Sequence, residues 1–279
     1  MKKLFLGSVA LVALGLGAPA AFAAERPVPA YAPPPPPVPV YTWTGCYAGA
    51  NAGTSTGRSN QTTLGNSILT GGALGAPAPR LFGAPAGTDM VGDLNLSGFI
   101  GGFQGGCNYQ WGVWVIGFEG DGSATNKEGQ NFEGGLVQFN ANRANWISQT
   151  QERWLVTARG KLGLSGWGWF GDKSMAYVTG GAAWAKIDTS EFLVGNQTGT
   201  GHQESNTRTG WTVGAGYEYA LGYGWSIKGE YLYVKFDDYT TFTQPPFGGA
   251  GGNIAPRSNK LYDNIFRAGM NYKIGGWGY

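Results

Sequence analysis

LSGFIGGFQGGCNYQWGVWVIGFEGD, residues 96–121, is the stretch on which the fold turns. Its glycines at 98–106 superficially resemble a nucleotide-binding loop, but that motif needs a strand before it and a helix after it. The chain continues instead into a second aromatic, β-branched run. In it Trp114, Ile116 and Phe118 share one face, and Glu119 and Asp121 lie on the other. Such period-two alternation is the mark of a strand with one apolar and one polar face. The two runs, 96–110 and 112–121, are separated only by Trp111, so they read as an antiparallel hairpin. Glycine suits crowded, strongly twisted strands here.

Working outward, the same alternation recurs at 42–53, 153–164, 176–187, 207–220, 225–236 and 263–274, giving eight segments. Most run 10 to 15 residues, close to the ~9–11 that cross a membrane at a tilt. The connections alternate in length. They hold 42 residues, then Trp111 alone, then 31, 11, 19, 4 and 26. Long loops on one side and short turns on the other are the pattern of a transmembrane barrel, and a soluble sandwich has no reason to adopt it. The expected fold is an all-β, eight-stranded antiparallel up-and-down transmembrane β-barrel over residues 42–279. Its even strand number would put both termini on the periplasmic side.

Composition agrees. Glycine is the commonest residue, at 50, aromatics make up 14% and charged residues only 13%, where soluble chains carry about a quarter. Mean hydropathy is −0.19. That excludes a helical membrane bundle but not a barrel, whose strands face lipid only at every second residue. The formal charge of +2 comes from Lys2 and Lys3, and the rest balances 17 basic against 17 acidic residues. That gives no basic excess for a nucleic-acid partner.

Lys2 and Lys3 precede an apolar run at 4–17, and Ala21-Phe-Ala23 ends it. This is the pattern of a secretory signal peptide, residues 1–23, cleaved after Ala23. An anchor helix would need ~20 apolar residues. Residues 24–41 are proline-rich, with an unbroken run at 33–37, and favour an extended polyproline conformation. They read as a semi-rigid periplasmic spacer, with contact to a partner or the cell wall as the alternative. The expected location is the cell outer membrane, with its lipid as the direct partner.

Alternation also assigns the faces. Trp154, Val156, Ala158 and Leu162 oppose Thr157, Arg159 and Lys161. Trp211, Val213, Tyr217 and Tyr219 oppose Thr212 and Glu218. Ile227, Tyr231 and Tyr233 oppose Lys228 and Glu230. Phe266, Met270, Tyr272 and Ile274 oppose Arg267, Asn271 and Lys273. A charge on the lipid face costs about 2–4 kcal/mol near the midplane, so the polar faces should point inward. The interior then holds Glu119, Asp121, Glu218 and Glu230 against Arg159, Lys161, Lys228 and Arg267. Side chains just fill an eight-stranded barrel, so these eight are expected to form a salt-bridged plug; the alternative is a narrow charged pore. Trp43, Trp111, Trp114, Trp225 and Tyr239, near strand ends, are expected at the membrane–water boundaries. Cofactor stacking is the other use of such rings.

Cys46 and Cys107 lie near the start of the first strand and the end of the second, so the hairpin would bring both to the periplasmic rim. Oxidation is favoured there. A Cys46–Cys107 disulfide is expected, against two free thiols. Enzyme chemistry is thin. His202 is the one histidine, in a polar loop with Glu204 and Ser205. One His and two Cys do not make a structural zinc site. No catalytic residue, metal or cofactor is expected.

With these residues in view the chain resembles the alphaproteobacterial outer-membrane immunogenic proteins, within the OmpA-like eight-stranded barrels typical of rhizobia and brucellae. The resemblance rests on the proline-rich start followed by Trp43-Thr-Gly-Cys46-Tyr-Ala-Gly-Ala-Asn51-Ala-Gly53. It also rests on Gly101-Gly-Phe-Gln-Gly-Gly-Cys107-Asn-Tyr-Gln110 and Val115-Ile-Gly-Phe-Glu119-Gly-Asp121. Val178-Thr-Gly-Gly-Ala-Ala-Trp184 and Trp211-Thr-Val-Gly-Ala-Gly-Tyr-Glu218 complete it. It implies insertion by the barrel-assembly machinery and envelope-structural and surface-antigen roles. It also implies a porin-like or haem-binding activity of the kind suggested for some relatives. One departure is the tail Gly275-Gly-Trp-Gly-Tyr279, where such barrels end on an aromatic closing the last strand; Tyr279 is the remaining terminal aromatic. The functional expectation is a non-enzymatic envelope and surface-display barrel. The alternatives are a porin-like channel, an adhesin or receptor acting through loops 53–95 and 236–262, and a lipid-modifying enzyme that would need His202.

Overall fold

The computed structural model describes residues 41–64, 68–71, 80–82, 86–87, 89, 94–132, 146–166, 171–193, 203–241, 252–253 and 257–275. The expected signal peptide and nearly all of the proline-rich spacer lie outside these, as do His202 and Tyr279. Eight long strands succeed one another: β1 (Gly45–Thr63), β2 (Leu94–Trp111), β3 (Trp114–Thr125), β4 (Trp146–Ser165), β5 (Ser174–Leu193), β6 (Gln203–Gly222), β7 (Trp225–Phe236) and β8 (Arg257–Lys273). Each pairs antiparallel with its chain neighbour, and β1 also pairs with β8 from Tyr47↔Lys273 to Thr63↔Arg257. The sheet therefore closes on itself and has no free edge. Among the described residues no helix is long and apolar enough to cross a membrane; the crossing is made by strands.

The tight turns fall at one end, the end expected to be periplasmic. The first is Gly112–Val113, framed by the pair Trp111↔Trp114. Trp111 is thus strand rather than turn, and Gly112 is turn rather than strand. The reason is local: Gly112 sits at φ 59°, a left-handed conformation that glycine adopts without steric cost.

Five of the strands run 18 to 20 residues, well beyond the lengths expected. Residues 54–63 belong to β1, although their Thr, Ser, Asn and Gln content has the look of loop. Above the membrane both faces can be polar, so hydropathy alternation fades while ladder pairing continues. The first and last long connections also meet. Gly252–Asn253 pairs with Ile68–Gly71, which pairs with Arg80–Phe82.

The assigned faces hold along the strands. Trp114, Ile116, Phe118, Val156, Leu162, Val213, Ile227, Phe266 and Met270 are exposed, and their inward neighbours are buried. The interior is not polar throughout, however. An apolar layer of Ile100, Leu155, Leu232, Val234 and Ile265 lies toward the extracellular end. A second, of Val115, Met175, Tyr177 and Ala220, closes the periplasmic end. Trp43 belongs to this second layer and is only 4% exposed. It is a wedge inside the mouth and not part of a boundary belt. The backbone N–H of Trp43 donates to Gln110 Oε1 at 2.7 Å, and Lys273 Nζ donates to the Thr42 carbonyl at 2.9 Å, fixing the entering chain. Tyr239 is buried too, under the Arg208 guanidinium 3.7 Å from its ring centroid. Trp111, Trp114 and Trp225 do face outward at the periplasmic end.

Candidate functional site in the barrel interior

Between the two apolar layers lies a slab of charge. Every second residue of β3, β4, β6, β7 and β8 points inward there, so five strands deliver eight charged side chains to one slab. Glu119 on β3 is the hub. It accepts from Arg159 Nη2 at 2.6 Å, from Lys228 Nζ at 2.7 and 2.8 Å, from Lys161 Nζ at 3.2 Å and from the Tyr47 hydroxyl at 2.6 Å. Asp121 accepts from Arg267 Nη2 at 2.6 Å, Arg159 Nη2 at 2.9 Å and the Thr157 hydroxyl at 2.9 Å. Glu230 accepts from Arg267 Nε at 2.8 Å, Arg159 Nη1 at 3.0 Å and the Tyr177 hydroxyl at 3.0 Å. Glu218 lies lower, accepting from Ser226 and Asn271 at 2.6 and 2.9 Å, with Lys161 Nζ 3.8 Å away. The structure brings all eight sequence-derived charges into this single network.

Room for it comes from glycine. Gly53 pairs across the ladder with Arg267, and a Cβ on it would lie 2.6 Å from Arg267 Cα. Inward glycine opposite inward arginine alternates small with large, which lets a narrow barrel hold long side chains.

Several members were not picked out from sequence. Tyr47 and Tyr177 cap carboxylates, and Lys161 Nζ stands 4.5 Å from the Tyr177 ring centroid. Asn51 and Gln104 form an amide chain with Asn271, which alternation had already placed on the inward face, with bonds of 3.1 and 2.6 Å. A second charged cluster lies above the apolar layer. Lys127 Nζ meets Glu152 Oε2 at 2.7 Å and Asp263 Oδ2 at 2.5 Å, and all three side chains are fully or almost fully buried. Arg257 is buried as well. Among the described residues the buried charges therefore number six acidic and six basic. Burying an ion is expensive unless it is paired and hydrogen-bonded, and this interior meets that condition by near-neutral packing.

At the periplasmic rim the structure joins Cys46 to Cys107 through a disulfide. They are direct partners across the β1–β2 ladder, and the positions they occupy alternate with inward-facing Tyr47 and Asn108. The bond therefore lies on the outer surface.

A closed ring of eight antiparallel strands with an apolar exterior and a charged interior limits the families that fit. The model of the outer membrane protein beta-barrel domain matches residues 8–273. The chain belongs to that family. It is 31% identical over 188 residues to the 31 kDa outer-membrane immunogenic protein of Brucella melitensis biotype 1, covering 65% of this chain and 69% of the relative. The protein of the same description from Brucella suis biovar 1 matches equally. Among solved structures it is similar to the outer membrane protease OmpT of Escherichia coli (9% identity, TM-score 0.48, 85% of this chain and 99% of that one). It is also similar to OprG of Pseudomonas aeruginosa (11% identity, TM-score 0.41, 82% and 97%). The protein is thus an outer-membrane barrel in direct contact with membrane lipid. Its short-turn end, where Cys46 and Cys107 lie, is the end expected to face the periplasm.

Proposed function

We propose that this outer-membrane barrel is non-enzymatic and closed, bracing the envelope and displaying its extracellular segments. The observation that carries this reading is the matched interior. Eight of the twelve buried charges, four of each sign, lie between the layer that includes Trp43 and a second apolar layer above, and the other four balance as well, which leaves no unpaired field of one sign along a path. A solute channel needs such a lining, or a wet lumen, to bind and release its cargo. Display is supported by the length of the connections between β1 and β2 and between β7 and β8. Insertion would run through the barrel-assembly machinery, and the proline-rich segment offers a route to the cell wall.

The test is single-channel conductance of refolded protein in a planar bilayer, after a gel-shift check that the barrel has formed. A silent bilayer containing folded protein supports the closed barrel. Steady, reproducible openings overturn it in favour of the porin reading.

A further inference from the structure

The outward faces of β6, β7, β8 and β1 carry two adjoining depressions, of about 830 and 760 Å3. Their shared floor is Ala52, Ala268 and Gly229, which the register sets side by side in one row. Met270 and Ile227 rise on the periplasmic side of that row, and Phe266 and Tyr231 on the extracellular side. Four strands at ~4.8 Å spacing make this groove about 14 Å wide, enough for several acyl chains abreast.

Above it comes an aromatic ladder. Tyr231 and Phe266 pack as tilted rings at 4.8 Å between centroids, and Tyr233 and Tyr262 at 6.2 Å. Amphipathic rings of this kind mark the boundary between hydrocarbon and headgroups. At that level Arg58 and Lys235 flank Tyr262 on its two neighbouring strands, and Lys260 lies one pleat further along β8. All three point outward and are exposed. Strand spacing and rise place their Cα atoms within about 8–10 Å of one another. Two other cations near the extracellular end, Arg153 and Arg208, are paired, with Asp188 at 2.8 Å and with Glu204 at 3.0 Å. Arg58, Lys235 and Lys260 make no ion pair among the described residues. The carboxylate nearest Lys235 along the chain, Asp237, is engaged by Thr209 at 2.9 Å.

An apolar groove beneath three clustered, unpaired cations complements one kind of molecule: anionic at the headgroup and carrying more chains than an ordinary phospholipid. We propose that this face is a docking site for a phosphorylated, multiply acylated glycolipid of the outer leaflet. Arg58, Lys235 and Lys260 hold the phosphate, and the acyl chains lie over Ala52, Ala268 and Gly229. Clustered cations attract anionic headgroups over about a Debye length, and the groove adds shape to that attraction.

The experiment is native mass spectrometry of the refolded full chain in detergent, titrated with hexa-acyl diphosphoryl lipid A, its enzymatically dephosphorylated form, and phosphatidylglycerol. The wild type is expected to retain diphosphoryl lipid A at least about tenfold more tightly than either other lipid. The variant R58Q/K235Q/K260Q should lose that preference, and Ala268→Phe, which fills the groove floor, should weaken retention of both lipid A forms. Equal retention of phosphorylated and dephosphorylated lipid A by the wild type overturns the proposal, and so does equal retention of phosphatidylglycerol. Unchanged lipid A binding by the triple variant, with its gel shift intact, also overturns it, and unchanged binding by A268F removes the groove from it. Because the lipid comparison needs only wild-type protein, it decides the matter even where a variant does not fold.

Discussion

Glu119 shows what a single inward position has to satisfy. Three cations and a tyrosine hydroxyl converge on one carboxylate, so replacing it strands positive charge in a place without water. Glu119→Gln is expected to cost about 3–5 kcal/mol, the range for breaking one partner out of a buried ionic cluster. It should appear as a lowered urea midpoint for the barrel in phospholipid vesicles. Tyr41, outside the membrane-spanning strands, gives a pH prediction. Burial, reinforced by the Glu218 carboxylate, lifts its hydroxyl to about 12 from an ordinary 10. The folded protein therefore keeps this proton where the unfolded chain has lost it. The associated stability is complete below pH 10 and is lost as pH rises from 10 to 12. Tyr41→Phe should flatten that alkaline loss, monitored by tryptophan fluorescence, since Tyr41 packs edge-on against Trp43 with centroids 4.9 Å apart. At this scale the sequence was most readable where residues were unambiguous. The eight charges on alternating positions could be assigned inward because lipid does not accept them. Tyr47 and Tyr177 could not, since tyrosine serves either face. Trp43 precedes β1 and enters the mouth, which alternation does not address.

Among the elements, the tightest covalent constraint is Cys46–Cys107. It bonds the first two strands to each other, 61 residues apart in sequence, where the intervening connection is long. Closing such a loop restricts the unfolded chain, and its loss should cost about 2–4 kcal/mol. A C46S/C107S variant should unfold in urea at the midpoint of reduced wild type and be indifferent to reductant. An oxidised wild type that unfolds no later than its reduced form would contradict this. Strand existence and order were legible from period two and from the long–short rhythm of connections; strand ends were not. Polar pairing above the membrane looks like loop in composition. At β4 a register shift between Glu152 and Trp154 breaks the alternation that would have marked Glu152 as inward. Lys127 lies in the irregular link between β3 and the short strand Glu128–Phe132, where no period exists to read. The second charged cluster was hidden for those two reasons.

For the whole molecule, closure ties every strand to two others, and the interior is stacked in layers that share strands. No group of strands can leave without opening the charged slab to an apolar neighbour. Unfolding is therefore expected to be a single cooperative event, with tryptophan fluorescence and gel mobility changing at the same urea concentration. Separate transitions would mean that the extracellular half melts alone. The length of the wall has one more result. A strand of 20 residues such as β4, at ~3.4 Å per residue and a tilt near 40°, stands roughly 50 Å tall. The lipid-facing band takes only about 25 Å of that. The remainder is a rigid pedestal. It would lift the far ends of the strands clear of the lipid surface by up to about the diameter of a small domain, so that an approaching antibody or host surface would meet them before it met the bilayer.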